Sequence, residues 1–194
     1  MPIGRLDGRA LEITVLNSPK ITAQTYPFSY EMQWGEWLRA ELVQGLPLES
    51  SEDPDIAILL KKVQLHHHVL LGEPPSVYLP TVTDDLLERA IGDTYPQIVA
   101  HWDEDDDEFN QILALCRMCY TLQYKEIVPK DVAAEWFISS LQHDDVDDQS
   151  TYALQLMINA YIGQTEPQNW TLFHAELAKL VKVLSQRLDH YFAA

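Results

Sequence analysis

Residues 110–141 read NQILALCRMCYTLQYKEIVPKDVAAEWFISSL. From Phe109 to Tyr124 apolar residues recur at the spacing of one helix face, which predicts an amphipathic helix. Arg117 is the only charged residue in that run. A second helix is predicted to begin near Pro129, because the fixed φ of proline suits a first helical turn.

The two cations of this stretch, Arg117 and Lys130, allow two interpretations. Lys130 directly follows Pro129, so it lies where free backbone N–H groups and the helix macrodipole already present positive charge. An anion shared by both cations would make this arrangement favourable, because a helix start readily binds phosphate. The alternative is that Arg117 pairs with a nearby carboxylate and Lys130 is solvated, since structural ion pairs are common.

Composition limits the classes of function. The 194 residues are 46% hydrophobic, enough for a buried core, and carry a net charge of −17. That charge argues against nucleic acid as a partner and favours cationic ligands. The two cysteines lie in one apolar helix and do not form a disulfide framework. Because there is also no apolar run of about 18 residues, we expect a soluble cytoplasmic protein without a membrane partner.

The beginning of the chain predicts an incomplete sheet. Residues 10–16 alternate as a strand, with Leu11, Ile13 and Val15 on one face. Only one further β-like run, 21–28, lies nearby, and two strands alone are marginal in water. We therefore expect either a truncated domain or a sheet that another chain completes, with self-association through the incomplete sheet.

The rest of the chain predicts helices. A proline-rich connection at 73–80 is the predicted domain boundary, with a truncated α/β domain at 1–79 and a helical domain at 80–194. The predicted fold class is mainly α, a C-terminal helical bundle preceded by the remnant of an α/β, mixed-sheet domain. Outside the quoted stretch, helices are predicted at 31–44, 53–71, 83–100, 146–162 and 169–191.

Four motifs resemble the aminoglycoside nucleotidyltransferases, specifically the streptomycin/spectinomycin 3''-adenylyltransferases. R-M-C-Y at 117–120 and I-V-P-K-D-V-A-A-E-W at 127–136 are similar to the family's arginine helix and its I-x-P-K-D-V-A-A-[DE]-W helix start. E-I-T-V at 12–15 and E-M-Q-W-G-E-W at 31–37 are similar to two further family motifs. The resemblance covers nearly the whole chain and implies that the sheet remnant belongs to a nucleotidyltransferase domain.

The resemblance implies adenylyl transfer from ATP to a hydroxyl group of a streptomycin- or spectinomycin-like aminoglycoside. Glu12 matches the carboxylate that acts as general base for the attacking hydroxyl, a role that typically contributes about 10²–10⁴-fold. The alternative interpretation of Glu12 is an edge charge that faces water. The implied drug contacts are Trp37, Asp103 and Asp107, and the implied nucleotide contacts are Arg117, Lys130 and Tyr161.

Each implied contact also has a structural interpretation. The acidic run at 103–108 would attract a cationic drug, but it is also typical of a solvated helix start. Trp37 would equally suit core packing, and Tyr161 would suit the end of a helix. The resemblance favours Asp107 in particular, because the family's drug-binding acid lies ten positions before the helix arginine, here Arg117.

The metal-binding part of the family pattern does not appear in this sequence. Family members carry a Gly-Ser turn and an Asp-x-Asp pair upstream of the general base, which hold Mg²⁺ against the nucleotide phosphates. Residues 1–9 contain one carboxylate, Asp7. ATP and Mg²⁺ are the implied cofactors, yet no metal ligand is assigned, and we expect the chain alone to be inactive. The competing function is a non-catalytic acidic helical module that binds cationic ligands or a partner chain.

The remaining histidine and cysteine clusters predict no metal site. His66, His67 and His68 follow one another on a predicted helix, where successive side chains point about 100° apart and do not converge on one ion. Cys116 and Cys119 lie among apolar neighbours without a second cysteine pair. We expect both to be buried thiols.

Overall fold

A computed structural model gives the fold of the chain, which divides into two compact units, Met1–Ala90 and Ile91–Ala194. The domain boundary predicted at residue 79 stays a prediction. The structure describes residues 11–35, 38–45, 47, 49–103, 107–142, 145–166 and 169–193.

The first unit contains two small antiparallel pairs of strands. Strand β1 (Ile13–Val15) pairs with β3 (Met32–Trp34), so that Ile13 lies opposite Trp34. Strand β2 (Ser29–Tyr30) pairs with β4 (Ser51–Glu52). Pairs this small supply little stability of their own, which agrees with the predicted sheet remnant.

The predicted strand at 21–28 is wrong, because its first residues belong to helix α1 (Ser18–Ala23). The side chain of Asn17 accepts a hydrogen bond from the backbone N–H of Lys20 at 3.2 Å, and a proline occupies the first turn. An asparagine N-cap followed by proline starts a helix strongly. This local signal outweighs the β preference of the isoleucine and threonine that follow.

The apolar face predicted for the first strand is exposed. The side chains of Leu11, Ile13 and Val15 are 60%, 40% and 40% accessible to solvent. Thr14, on the opposite face, is only partly exposed. The alternation of the sequence therefore sets the faces of β1 correctly, and its apolar face lies on the surface of the described structure.

Three further short helices follow in this unit: α2 (Arg39–Val43), α3 (Asp55–Leu65) and α4 (Pro75–Tyr78). The helix predicted at 31–44 is therefore strand at its beginning and helix only at its end. The helix predicted at 53–71 ends at Leu65, because His66 adopts an extended conformation. Ring atom Nδ1 of His67 then lies 2.9 Å from the carbonyl oxygen of Val63, in place of the backbone N–H that a longer helix would supply.

Helix α5 (Asp84–His101) runs from the first unit into the second. Thr83 caps it as predicted, its hydroxyl oxygen accepting from the N–H of Leu86 at 3.3 Å. Pro96 lies inside the helix without ending it. A β-carbon at Gly92 would lie 3.2 Å from the ring of Phe192, so glycine lets that ring pack directly against the helix.

The second unit is a helical bundle. Its elements are α6 (Glu108–Tyr124), α7 (Lys130–Ser140), α8 (Asp148–Tyr161), a 3₁₀ turn (Trp170–Phe173) and α9 (His174–Ala193). This architecture confirms the predicted fold class, mainly α with a C-terminal bundle. No helix in the described ranges is long and apolar enough to cross a membrane. The buried core includes Ile112, Leu115, Phe137, Leu154, Met157, Leu180 and Leu184.

The two cysteines are buried free thiols, as predicted. Burial raises the pKa of Cys119 to about 12 and raises the pKa of Cys116 well above its ordinary value. Thiolate is the reactive form of cysteine. These thiols are therefore packing groups of helix α6 in the folded protein.

Asp147 links the start of α8 to α9, and we predict that this link makes stability depend on pH. Its carboxylate accepts from Ser150 N at 2.9 Å and from Lys179 Nζ at 2.6 Å. The Lys179 hydrogen bond, followed by the Ser150 bonds, holds the pKa of Asp147 well below its usual range. Because the folded pKa is lowered, the stabilisation is present above the unfolded pKa of about 3.9 and is lost as pH falls through the folded pKa.

Urea unfolding of wild type and Asp147→Asn between pH 2 and 7 tests this link. Asparagine keeps an N-cap acceptor but removes the charge. Wild type is expected to be more stable at pH 7, and the difference in free energy of unfolding should shrink below about pH 4. A difference that stays constant down to pH 2 would contradict the prediction.

Candidate functional site

The start of α6 fixes the carboxylate of Asp107. Its Oδ1 accepts a hydrogen bond from Asn110 Nδ2 and its Oδ2 accepts one from Gln111 Nε2, both at 2.8 Å. The backbone N–H groups of Asn110 and Gln111 donate to the Asp107 carbonyl oxygen at 2.9 and 3.1 Å. A half-buried carboxylate is thus held in one orientation immediately before a long helix.

Lys130 reaches the same turn of α6 from the start of α7. Lys125, with a φ of 57°, ends α6 in the left-handed conformation, and the following residues lead to Pro129, which starts α7. Nζ of the half-buried Lys130 donates to the carbonyl oxygen of Asn110 at 3.1 Å. The predicted drug contact Asp107 and the predicted nucleotide contact Lys130 therefore meet at one residue.

Tyr161 lies near this turn as well. The last residue of α8, it places its ring centroid 6.1 Å from that of Phe109, which precedes Asn110 on α6. Phe109 also stacks on Trp170 at 5.7 Å. Three of the predicted contacts are thus gathered around the first turn of α6: Asp107 directly before α6, Lys130 at the start of α7 and Tyr161 at the end of α8.

Asp103 is held by a residue that the sequence analysis missed. Its Oδ2 lies 3.0 Å from Nε2 of His174, the first residue of α9. This hydrogen bond lowers the pKa of the Asp103 carboxyl. The His174 ring centroid lies 5.1 Å from that of Trp102, whose side chain is buried. Asp103 and His174 are 71 residues apart, so no local pattern could have joined them.

Arg117 lies in the middle of α6, away from this turn. It is ten residues beyond Asp107, about 15 Å along the helix axis at 1.5 Å per residue. Seven residues beyond Asn110, it projects from nearly the same helix face, since seven residues make about two turns. Its side chain is half-buried and engaged by a neighbouring group. Both interpretations of Arg117, phosphate contact and structural partner, stay open.

The predicted general base and the predicted tryptophan belong to the first unit. Glu12 is exposed and directly precedes β1. Its neighbour Ile13 pairs with Trp34 across the strands, and Trp34 is half-buried. Trp37 lies outside the described residues.

The described residues offer no donor set for a metal ion. Nowhere in the described ranges do three histidine, cysteine, aspartate or glutamate side chains come together as metal ligands. Mg²⁺ prefers an octahedral shell of oxygens, commonly with one or two carboxylates and phosphate oxygens. The described side chains therefore provide no cluster of three such ligands for the magnesium ion that the resemblance implies.

A cavity of about 580 Å³ lies elsewhere in the bundle, where α6, α7 and α9 end. Tyr124, Trp136 and Arg187 line it, but none of the predicted site residues does. Nη1 of Arg187 donates to Ser140 Oγ at 2.6 Å and Nη2 to Asp145 Oδ2 at 3.2 Å. Arg187 thus secures the end of α7, which is a structural role.

Comparisons with known proteins agree on one family. The family model described as "Aminoglycoside adenylyltransferase, C-terminal domain" matches residues 78–187. A spectinomycin 9-adenylyltransferase of Staphylococcus aureus is 35% identical over 188 residues, which cover 96% of this chain and 69% of that protein. An aminoglycoside (3'') (9) adenylyltransferase of Escherichia coli is 32% identical over 160 residues, which cover 81% and 58%.

A solved structure has the same fold. The crystal structure of a spectinomycin adenyltransferase from Enterococcus faecialis, with ATP and spectinomycin, superposes with a TM-score of 0.83 at 25% sequence identity. The match covers 97% of this chain and 73% of that one. Together with the sequence matches, this structural match extends the likeness over both units of the chain.

Proposed function

Because this chain belongs to the aminoglycoside adenylyltransferase family, we propose that it serves the transfer of an adenylyl group from ATP to a hydroxyl group of a spectinomycin- or streptomycin-like aminoglycoside. The Staphylococcus aureus and Campylobacter jejuni relatives are spectinomycin 9-adenylyltransferases, so spectinomycin is the first drug to test. Streptomycin, the substrate that the motifs first implied, is the second.

The observation that carries this proposal is the meeting of Asp107 and Lys130 at Asn110. The lysine Nζ lies 3.1 Å from the Asn110 carbonyl oxygen, and the Asn110 amide lies 2.8 Å from the carboxylate. A carboxylate suited to bind an ammonium group and an ammonium group suited to bind a phosphate are therefore adjacent. A transferase that joins a cationic drug to a nucleotide needs both groups side by side.

In this proposal the residues take the roles that the resemblance implies. Glu12 removes the proton from the drug hydroxyl, and the hydroxyl oxygen bonds to the α-phosphorus of ATP. The bond between the α-phosphorus and the oxygen that bridges to the β-phosphate breaks, which releases pyrophosphate. Lys130 and Arg117 bind the triphosphate, and Tyr161 contacts the nucleotide. Trp37 has the role of the aromatic drug contact that the resemblance implies.

The acidic side chains recruit the drug. Aminoglycosides are cationic, and the net charge of −17 favours their approach. Asp107 binds an ammonium group of the drug directly, and Asp103 provides a second carboxylate beside His174. We place this activity in the cytoplasm, because the two free thiols suit a reducing compartment.

We also propose that the 194 residues do not complete the transfer alone, because residues 1–9 carry no Asp-x-Asp pair. The family model supports a helical domain at about 80–194, and residues 1–79 would then be the nucleotidyltransferase part. The exposed Leu11, Ile13 and Val15 favour the alternative of a binding module that docks onto a partner chain or a second copy. Sedimentation that becomes faster with concentration would support that alternative.

Binding of the drug tests the role of Asp107. Isothermal titration calorimetry with spectinomycin, and separately with streptomycin, is expected to detect binding to the wild-type chain. Asp107→Asn should weaken that binding about 5- to 10-fold. Asparagine keeps the shape and one acceptor oxygen, so the loss reports the charge of the carboxylate together with the one amide hydrogen bond that the second oxygen accepts. Asp148→Asn, an exposed carboxylate in the first turn of α8, is the matched control and should bind like wild type. Equal affinity of Asp107→Asn and wild type would refute the proposed drug contact.

A further inference from the structure

The carboxylate of Asp107 is held by the two side-chain amides of the next helical turn. Asn110 Nδ2 donates a hydrogen bond to one carboxylate oxygen and Gln111 Nε2 donates one to the other, each at 2.8 Å. A carboxylate offers about four lone-pair positions, so each oxygen keeps one for another donor. With both oxygens bonded, rotation about the side-chain torsions is restrained, and the two unused lone pairs have preferred directions.

We propose that Asn110 and Gln111 are positioning residues that set the orientation in which Asp107 receives an ammonium group of the aminoglycoside, which makes them determinants of drug specificity. This inference rests on the proposed drug contact of Asp107. A carboxylate that is ordered before the ligand arrives loses less conformational entropy on binding. An ordered carboxylate also discriminates between amines by their direction as well as by their charge.

Asn110 additionally connects the drug side to the nucleotide side. Its side chain bonds to Asp107, whereas its carbonyl oxygen accepts from Lys130 Nζ at 3.1 Å. Alanine at position 110 removes the first bond and keeps the backbone carbonyl of the second. The drug-side role can therefore be tested without removing the acceptor of the lysine.

The competing explanation is that the two amides only stabilise the start of α6. Asp107 already accepts the backbone N–H groups of Asn110 and Gln111 at its own carbonyl oxygen, so the helix start has bonds that the alanine variants retain. The two explanations differ in one respect. A positioning role acts only through the Asp107 carboxylate, whereas a purely structural role does not depend on it.

A double-mutant cycle on the full 194-residue chain separates them. Spectinomycin affinity is measured by isothermal titration for wild type, Asn110→Ala/Gln111→Ala, Asp107→Asn and the triple variant, with thermal unfolding recorded for each. The double variant is expected to bind about 2- to 5-fold more weakly than wild type. In the Asp107→Asn background the same two substitutions should change affinity by less than about 1.5-fold. Gln155→Ala, which removes a surface amide pair on α8, should match wild type.

Each other outcome overturns the inference. Equal losses in both backgrounds would leave only the structural explanation. A loss for Asp107→Asn with none for the double variant would overturn the positioning role while the proposed function stands. Unchanged affinity of Asp107→Asn, or no spectinomycin binding by wild type at millimolar drug, would overturn the proposed drug contact and the inference with it.

Discussion

Spectinomycin that is incubated with ATP, magnesium ions and the 194-residue chain is expected to remain unmodified. The resemblance implies an Asp-x-Asp pair before the general base, whereas the only carboxylate among residues 1–9 is Asp7. Phosphoryl-type transfer depends mostly on positioning and on neutralising phosphate charge. A general base, the role proposed for Glu12, contributes about 10²–10⁴-fold and does not replace that neutralisation, so we expect no detectable transfer.

Mass spectrometry of the drug measures this directly. The reaction is run with spectinomycin and with streptomycin, and a spectinomycin 9-adenylyltransferase such as the Staphylococcus aureus relative serves as the positive control. Calorimetric drug binding by the same preparation shows that the chain is folded and competent to bind. An adenylylated drug above the enzyme-free background would mean that the chain supplies phosphate neutralisation from residues other than the expected pair.

Loss of Lys130 or Arg117 is expected to weaken tripolyphosphate binding about 10- to 150-fold. Each cation would lose a charge-assisted contact worth about 1.5–3 kcal/mol, and every 1.4 kcal/mol is about tenfold in affinity. The net charge of −17 does not prevent such binding, because at working salt charges beyond about 8–10 Å are largely screened. NMR titration at about 0.1–0.15 M salt, where this screening operates, should show shifts around 129–132 in wild type, and lose them in Lys130→Ala and Arg117→Ala.

The controls separate binding from folding. Lys182→Ala removes an exposed lysine of α9 and should bind tripolyphosphate like wild type. Arg117→Ala is judged together with its unfolding curve, because a structural arginine leaves a buried partner unpaired when it is removed. Unfolding of Arg117→Ala would assign that residue to structure. A wild-type spectrum that does not respond around 129–132 at millimolar tripolyphosphate would exclude the phosphate cradle altogether.

Helical periodicity was sufficient to predict the bundle, whereas short elements were predicted poorly. Helix α6 has 17 residues, so its apolar periodicity is clear even where single residues depart from it. The start of α5 was predicted from Thr83, whose hydroxyl oxygen accepts a local backbone hydrogen bond. The residues at 31–44 carry tryptophans at helical spacing, yet Met32–Trp34 form a strand. Pairing of this segment with β1 supplies backbone hydrogen bonds that a single-segment pattern does not contain.

The candidate site divides in the same way. The motifs named Asp107 and Lys130 as residues of interest, and both stay predictions as ligand contacts. Their meeting at Asn110 was not foreseen, since Lys130 lies 20 residues further along the chain. His174 was missed entirely, because a histidine at the start of a helix carries no distinctive local signal.

The sequence by itself determined the fold class, the faces of β1, the cap of α5 and the buried state of both cysteines. These features depend on neighbouring residues, whose hydrogen bonds and apolar periodicity are set within a few positions. Only the tertiary structure decided which polar groups meet. The bonds of Lys130 to Asn110 and of His174 to Asp103 span 20 and 71 residues. Packing of the bundle core brings the start of α7 to the start of α6, and the start of α9 to the turn that follows α5. Closing such loops costs conformational entropy, and burial of the apolar side chains of the core offsets that cost. The sequence around the polar groups therefore does not reveal which of them will meet.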